Sequence, residues 1–472
     1  MKKLSTAVML LVGTLLFLQS SSPLSAAPID SSWIVSNYHA LANRIIQFAR
    51  KDSSAYNRLA YLCDTFGSRL CGTQNLEQAI DWILSTMKLD GLENVHGEMV
   101  MVPHWVRGRE SIEMLEPRKR KLPMLGLGGS VGTPPEGITG EVLVVKSFDE
   151  LVQRASEARG KIVLFNVPYT TYGATVQYRA RGAIEAARAG AKASLIRSVT
   201  PFSLQTPHTG AMRYDEKVPK IPHGAITVED AEMMQRMQDR GQRIVVHLQM
   251  EAHTLPDVPS RNIVAELTGR EKPDEIVVLG GHIDSWDVGE GAIDDAGGCI
   301  AAWEAVRLLK QLGLKPRRTI RVVLWTNEEN GISGAKEYAE THRNEIHNHI
   351  LAIETDAGVF KPNGFGFTGS DSAFPIIQAI GKLLEPIAAD TITKGGGGAD
   401  ISPLMKEGIP GMGLNVNGAR YFWYHHSDAD TVEKLNPDEM NQCVAALAVM
   451  AYIVADLPER LPAHFSPALP SH

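Results

Sequence analysis

From residue 262 onward, short apolar runs alternate with longer stretches whose apolar residues recur every three or four positions. Runs 276–279, 319–325, 350–354 and 412–416 read as strands; 296–312, a stretch from Ser333, 372–387 and 437–457 read as helices. Strands joined through helices require crossover connections, so this pattern predicts a doubly wound α/β sheet. In such a sheet, ligands bind beyond the carboxyl ends of the strands.

The residues just past each strand carry the candidate chemistry. Run 276–279 passes through Gly280-Gly281 to His282 and Asp284, and Asp294 comes ten residues later. Run 319–325 leads to Glu328-Glu329, run 350–354 to Asp356, and run 412–416 to a loop carrying Tyr424-His425-His426 and Asp430. An isolated Glu-Glu is most often a solvated pair, and His-His beside aromatics is often packing. Four successive strand ends each delivering a carboxylate or imidazole are poorly explained that way. Gathered at one edge, the carboxylates would repel and lose hydration unless a cation held them, which points to metal binding.

The rest of the chain lacks such a constellation. Residues 28–105 read as mainly helical with a strand from Met99, and the Gly- and Pro-rich stretch 126–137 reads as a connector. Within 140–252, strands 141–145, 161–167, 193–199 and 243–248 and helices 176–189 and 229–240 have their own rhythm. His208, His223 and His247 have no second ligand at a metal-like offset, so they read as ordinary histidines. This stretch reads as a domain without chemistry of its own that shapes or covers a cleft.

A net charge of −7, or −9 without Lys2 and Lys3, argues against nucleic acid or an anionic membrane as partner. Lys2-Lys3, an apolar run 7–18 and Ser25-Ala26-Ala27 read as a cleaved secretory signal over 1–27, which predicts a secreted or periplasmic protein. Cys63 and Cys71 bracket a short loop and admit two readings, two unpaired buried thiols or a disulfide in an oxidising compartment, of which the bridge is the expectation; Cys299 and Cys443 read as packing residues.

The order His-x-Asp, Asp, Glu-Glu, Asp, His resembles the co-catalytic dizinc exopeptidases of the aminopeptidase type. The resemblance rests on Gly281–Asp295, Val323–Glu329, His425-His426-Ser427 and Asp430-Thr431, and it extends through most of the chain beyond residue 27. It implies a doubly wound mixed sheet of the phosphorylase/hydrolase-like kind, formed by 28–105 and 262–472, with a protease-associated-type domain inserted over 106–261. It also implies two Zn2+ per chain: Asp294 bridging, His282 and Asp356 completing one site, Glu329 and His426 the other. Asp284 would either orient His282 or sit behind the metal pair. Glu328 would be general base and then general acid, and Asp400, Tyr424 and His425 would face substrate. Paired zinc ions activate water near neutral pH, and an adjacent carboxylate can move its proton to a leaving amine. The expected function is hydrolysis of short peptides, dipeptides foremost, by a homodimer. A deacylase of similar ligand order places its extra domain between later ligands; here only 69 residues separate Asp356 from His426. A receptor-type relative would have lost ligands, and a cyclase of this fold would use one zinc.

Overall fold

In a computed structural model, residues 31–463 are described; the expected signal segment 1–27 lies outside them. Two eight-stranded sheets carry the molecule. Along the first, the strands run Glu93–Val106, His253–Leu267, Arg318–Trp325, Lys272–His282, His349–Glu354, Gly411–Val416, Pro362–Thr368 and Thr391–Lys394. The middle four are parallel neighbours, and antiparallel strands lie on both sides of them. These four are the strands whose ends carry the candidate ligands, so all the ligands emerge at one edge.

Every residue of Arg318–Trp325 and His349–Glu354 is buried, as expected for strands covered on both faces. Helix Pro437–Asp456 is apolar nearly all round and is therefore itself interior. It packs against the sheet, against Gly297–Gln311 and against the amino-terminal helix Ser31–Ala49. Its start is fixed by Asn436, whose Oδ1 accepts the Asp438 amide at 2.8 Å.

The second sheet draws its strands from Glu110 to Met250. The chain leaves the first sheet at Val106 and re-enters at His253, and these two residues are cross-strand partners. Both ends of the intervening stretch are thus anchored at one place on an antiparallel pair. Four of its strands, Glu110–Glu116, Arg120–Leu122, Met124–Gly126 and His223–Ile226, escape the sequence pattern because they are short or rich in charge and glycine. In the first sheet Pro362–Thr368 escapes for a like reason.

Candidate metal centre

His282 is the last residue of the central strand. Its Nδ1 lies 2.9 Å from the Asp284 carbonyl oxygen, so the Nδ1–H donates there and Nε2 is left facing inward. Nε2 sits 3.2 Å from Asp294 Oδ1 and 3.4 Å from Asp356 Oδ1. Burial alone would depress this imidazole's pKa, but Asp356 and Asp294 outweigh it and raise it well above the usual value. The strand end can accept this crowding because Gly281 has no side chain: a Cβ there would lie 2.1 Å from Asp295 Oδ2.

Asp294 is aimed by its backbone. The amides of Ile293 and Asp294 donate to the two oxygens of Asp430 at 2.7 and 3.2 Å. Burial raises Asp430 to about 7. Asp295 faces the other way, accepting the amides of His282 and Gly298, each at 3.2 Å. Arg69, fully buried, donates to the carbonyls of Gly67, Ile283, Glu290 and Gly291 and so ties this loop to the amino-terminal segment.

Beyond Trp325, Asn327 adopts a left-handed φ of 67° and turns the chain. The amides of Glu328 and Glu329 then both point at Asp284, whose two oxygens accept them at 3.0 and 3.3 Å. It is this turn, beyond the end of the strand, that separates the adjacent glutamates. Glu329 is buried with Oε2 3.0 Å from His426 Nε2, whereas Glu328 is half-buried on the cavity wall. Burial, helped by neighbouring carboxylates, pushes Glu328 to about 8 and Glu329 to about 7. The Asp284 carboxylate touches neither ring nitrogen of His282 closely, at 3.9 Å from Nδ1, so it acts on this turn.

His426 Nε2 is also 3.2 Å from Asp294 Oδ2. Burial would lower this histidine, but Glu329 and Asp294 overcome it and raise it to about 10. Its Nδ1 faces the Thr209 carbonyl at 3.4 Å, and the Thr209 amide donates to the His426 carbonyl at 2.9 Å. His425 stacks on His426 with ring centroids 3.4 Å apart, and its Nε2 is 3.5 Å from Asp294 Oδ2. The His425 carbonyl accepts from His208 Nδ1 at 2.6 Å; His208 is buried, and burial lowers it to about 4, so it is a neutral strut.

Asp294, Glu328, Glu329, Asp356, His425 and His426 line a cavity of about 300 Å³ that Tyr421 and Phe422 share with Tyr172 and Arg179 from helix Tyr172–Arg188. Two expected substrate contacts are not on its wall. Tyr424 points away, packing on the main core with Lys434 over its ring, because the short helix Tyr421–Tyr424 turns residues 421, 422 and 425 inward instead. Asp400 is 1% exposed, without a hydrogen-bond partner on either oxygen, and sits with Glu354 rather than at the cavity surface. The sequence reading also missed the cavity role of Tyr172 and Arg179, which lie in a stretch it took to be without chemistry. Cys63 and Cys71 are both free and buried, so the expected bridge is absent; the Cys71 thiol turns to Asp284 Oδ2 at 3.5 Å.

The residues fit a metal. His282 Nε2, Asp294 Oδ2, Glu329 Oε1 and Asp356 Oδ1 are buried and lack hydrogen-bond partners, although other ligand-type atoms lie close by. Buried polar atoms are ordinarily satisfied, and proximity without hydrogen-bond geometry suits donors that share an ion. The triads His282–Asp294–Glu329, His282–Asp295–Asp356 and Asp294–His425–His426 each bring their ligand atoms within 4.8 Å of one another. Imidazole with carboxylate is a donor set suited to zinc.

A mixed α/β sheet with histidines and carboxylates converging beyond the ends of its parallel strands puts a candidate metal centre where such sheets bind ligands. Residues 262–451 match Peptidase family M28. The chain is 52% identical to mouse carboxypeptidase Q over 431 residues, covering 91% of this chain and 92% of that one, and 52% identical to the human protein, covering 88% of each. The structure superposes on the peptidase M28 precursor of Shewanella amazonensis SB2B with a TM-score of 0.87 and 34% identity, covering 90% of this chain and 98% of that one. The zinc aminopeptidase BSAP of Bacillus subtilis shares the fold, with a TM-score of 0.64 and 21% identity over 86% of this chain and 98% of that one. The chain belongs to peptidase family M28.

Proposed function

We propose that this protein is a secreted zinc-dependent exopeptidase acting on short peptides, dipeptides with free termini foremost. The convergence of four buried, hydrogen-bond-orphaned ligand atoms, His282 Nε2, Asp294 Oδ2, Glu329 Oε1 and Asp356 Oδ1, carries this reading. The likeness to carboxypeptidase Q over nine-tenths of the chain supports it. Two zinc ions held by His282, Asp294, Asp356, Glu329 and His426 would supply Lewis acidity to water and to the scissile carbonyl. Glu328, half-buried on the cavity wall, takes a proton from the attacking water and returns it to the leaving amine. Asp284 holds the Glu328–Glu329 turn, and Asp430 holds Asp294. The second sheet is an inserted domain that closes the cavity with Tyr172 and Arg179. No helix among the described residues is long and apolar enough to cross a membrane. The resemblance also supports a homodimer, which sedimentation would check.

The test is zinc per chain together with hydrolysis of free, amino-blocked and carboxy-blocked dipeptides. About two zinc ions and chelator-sensitive cleavage of the free dipeptide are expected. A protein that binds zinc but cleaves no member of the panel would overturn the reading.

A further inference from the structure

Resting on that reading, we infer that His208 is a positioning residue for the metal centre: its hydrogen bond holds the peptide between His425 and His426 in the orientation that turns His426 onto Asp294 and Glu329. The second sheet thereby sets the affinity of the zinc site that Glu329 and His426 complete. His426 stands in a backbone conformation that histidine seldom adopts. Its φ is 61°, left-handed, and none of the other four expected ligands, His282, Asp294, Glu329 and Asp356, has a positive φ. The Ser427 amide donates to the Tyr424 carbonyl at 3.2 Å, closing a four-residue turn in which His425 has φ −44° and ψ 123°. Those angles belong to a type II turn, whose third residue is normally glycine or asparagine. A histidine persists there only where its surroundings hold it.

The easier alternative for a histidine is a type I turn, in which the middle peptide is turned over. The second residue's ψ then goes from about +120° to about −30°, and the third residue's φ from about +80° to about −90°. Such a change would swing the His425 carbonyl to the opposite face and redirect the Cα–Cβ bond of His426. Nε2 of His426 would leave Asp294 Oδ2 and Glu329 Oε2, which now lie 3.2 and 3.0 Å away. The His425 carbonyl is held against this by His208, whose Nδ1 lies 2.6 Å from it. A carbonyl can only accept, so Nδ1 carries the hydrogen and donates. Only the type II form presents its carbonyl to His208, so the bond favours that form.

The ring of His208 serves that one contact. It is 1% exposed and its Nε2 has no hydrogen-bond partner, a cost that an apolar side chain would avoid. Its place is fixed from the second sheet. The His208 amide donates to Ser198 Oγ at 2.9 Å, and the Ser198 hydroxyl donates to the Ile226 carbonyl at 2.8 Å. Ser198 directly follows strand Ala193–Arg197, and Ile226 ends strand His223–Ile226. Neighbours of His208 hold the rest of the turn. The Thr200 hydroxyl donates to the Phe422 carbonyl at 2.7 Å, and the Thr209 amide to the His426 carbonyl at 2.9 Å. The loop that carries His426 thus hangs by its carbonyls from donors of the second sheet.

The experiment counts zinc per chain at a graded series of free zinc concentrations for wild type, His208→Leu and His208→Asn. Leucine removes the donor, whereas the amide nitrogen of asparagine takes the place of Nδ1 and keeps it. Wild type should hold about two ions. His208→Leu should hold one as tightly as wild type and need about 10- to 100-fold more free zinc for the second, while His208→Asn should stay within about threefold of wild type for both. If His208→Leu does not fold, His208→Gln, whose nitrogen lies where Nε2 was, replaces it with the same expected loss. Nitrogen NMR of the wild-type histidine side chains, with His208 assigned by the signal missing from His208→Asn, should place its proton on Nδ1. Unchanged affinity for both ions in His208→Leu or His208→Gln, or a proton on Nε2, overturns the inference while the exopeptidase reading stands. Equal loss of both ions without recovery in His208→Asn would mark a merely structural residue and overturns it as well. Wild type that binds no zinc overturns both the inference and the reading.

Discussion

Asp284→Asn tests the proposal that a carboxylate behind the metal centre acts by aiming the general base. Asp284 is fully buried and spends its two oxygens on the amides of Glu328 and Glu329, at 3.0 and 3.3 Å. Asparagine has the same shape but one acceptor, so whichever way its amide turns, one backbone N–H meets an NH2 group. The loss of a charge-assisted hydrogen bond together with an unpaired buried amide is worth about 2–3 kcal/mol. The turn can relieve that cost only by shifting Glu328 or Glu329. Misplacement of a reacting group by roughly 1 Å costs on the order of 10²-fold in rate. Substitution behind a metal site typically weakens metal affinity about 10- to 100-fold, which saturating zinc restores. The expected result is therefore a kcat about 10²-fold below wild type that stays low at saturating zinc with full zinc per chain. A variant with wild-type kcat under those conditions would refute the assignment, since the turn would then hold its place without Asp284.

Glu328→Gln should keep zinc near wild type and lose roughly 10²–10⁴-fold in rate, whereas Glu329→Gln should lose zinc from one site; metal analysis with turnover checks both, and the reverse pattern exchanges their roles. Because all four cysteines are free and buried, thiol titration under denaturing, non-reducing conditions should label four per chain, and two would mean that a bridge forms. Burial holds Glu328 at about 8 and Glu329 and Asp430 at about 7, so each binds its proton more tightly folded than unfolded. Their contribution to stability is then complete below about pH 4 and is lost as pH rises towards 7–8. Chelated protein should accordingly melt at lower temperature at pH 8 than at pH 5, and zinc should raise Tm more at pH 8; equal zinc gains at both would contradict this.

Much of the catalytic half was legible because its signals are local. A fully buried parallel strand must be a short apolar run, and a ligand at its end must come within a few residues, so His282, Glu328-Glu329 and Asp356 could be found by counting. Helix Pro437–Asp456 was equally plain from its apolar spacing, while its Asn436 cap and burial on nearly all sides came from the structure. The choice of His426 over His425 came from the family pattern; in the structure His426 Nε2 lies by both Asp294 and Glu329, and His425 Nε2 lies by Asp294. The strands Pro362–Thr368 and Met124–Gly126 were not legible, because glycine and proline hide strands whose stability comes from their neighbours.

The sequence alone determined the alternating fold, the order of the candidate metal ligands and the family likeness, since each depends on residue type and spacing along the chain. Only the tertiary structure decided what depends on distance between remote segments. It turned Cys71 towards Asp284 rather than Cys63 and brought Arg69 under the loop of Asp294. It turned Tyr421 and Phe422 inward in place of Tyr424. It also set Thr209 and Arg179, from a stretch with no motif, against His426. Backbone carbonyls do much of that work, and a carbonyl is the same in every residue, so no pattern of side chains could announce it.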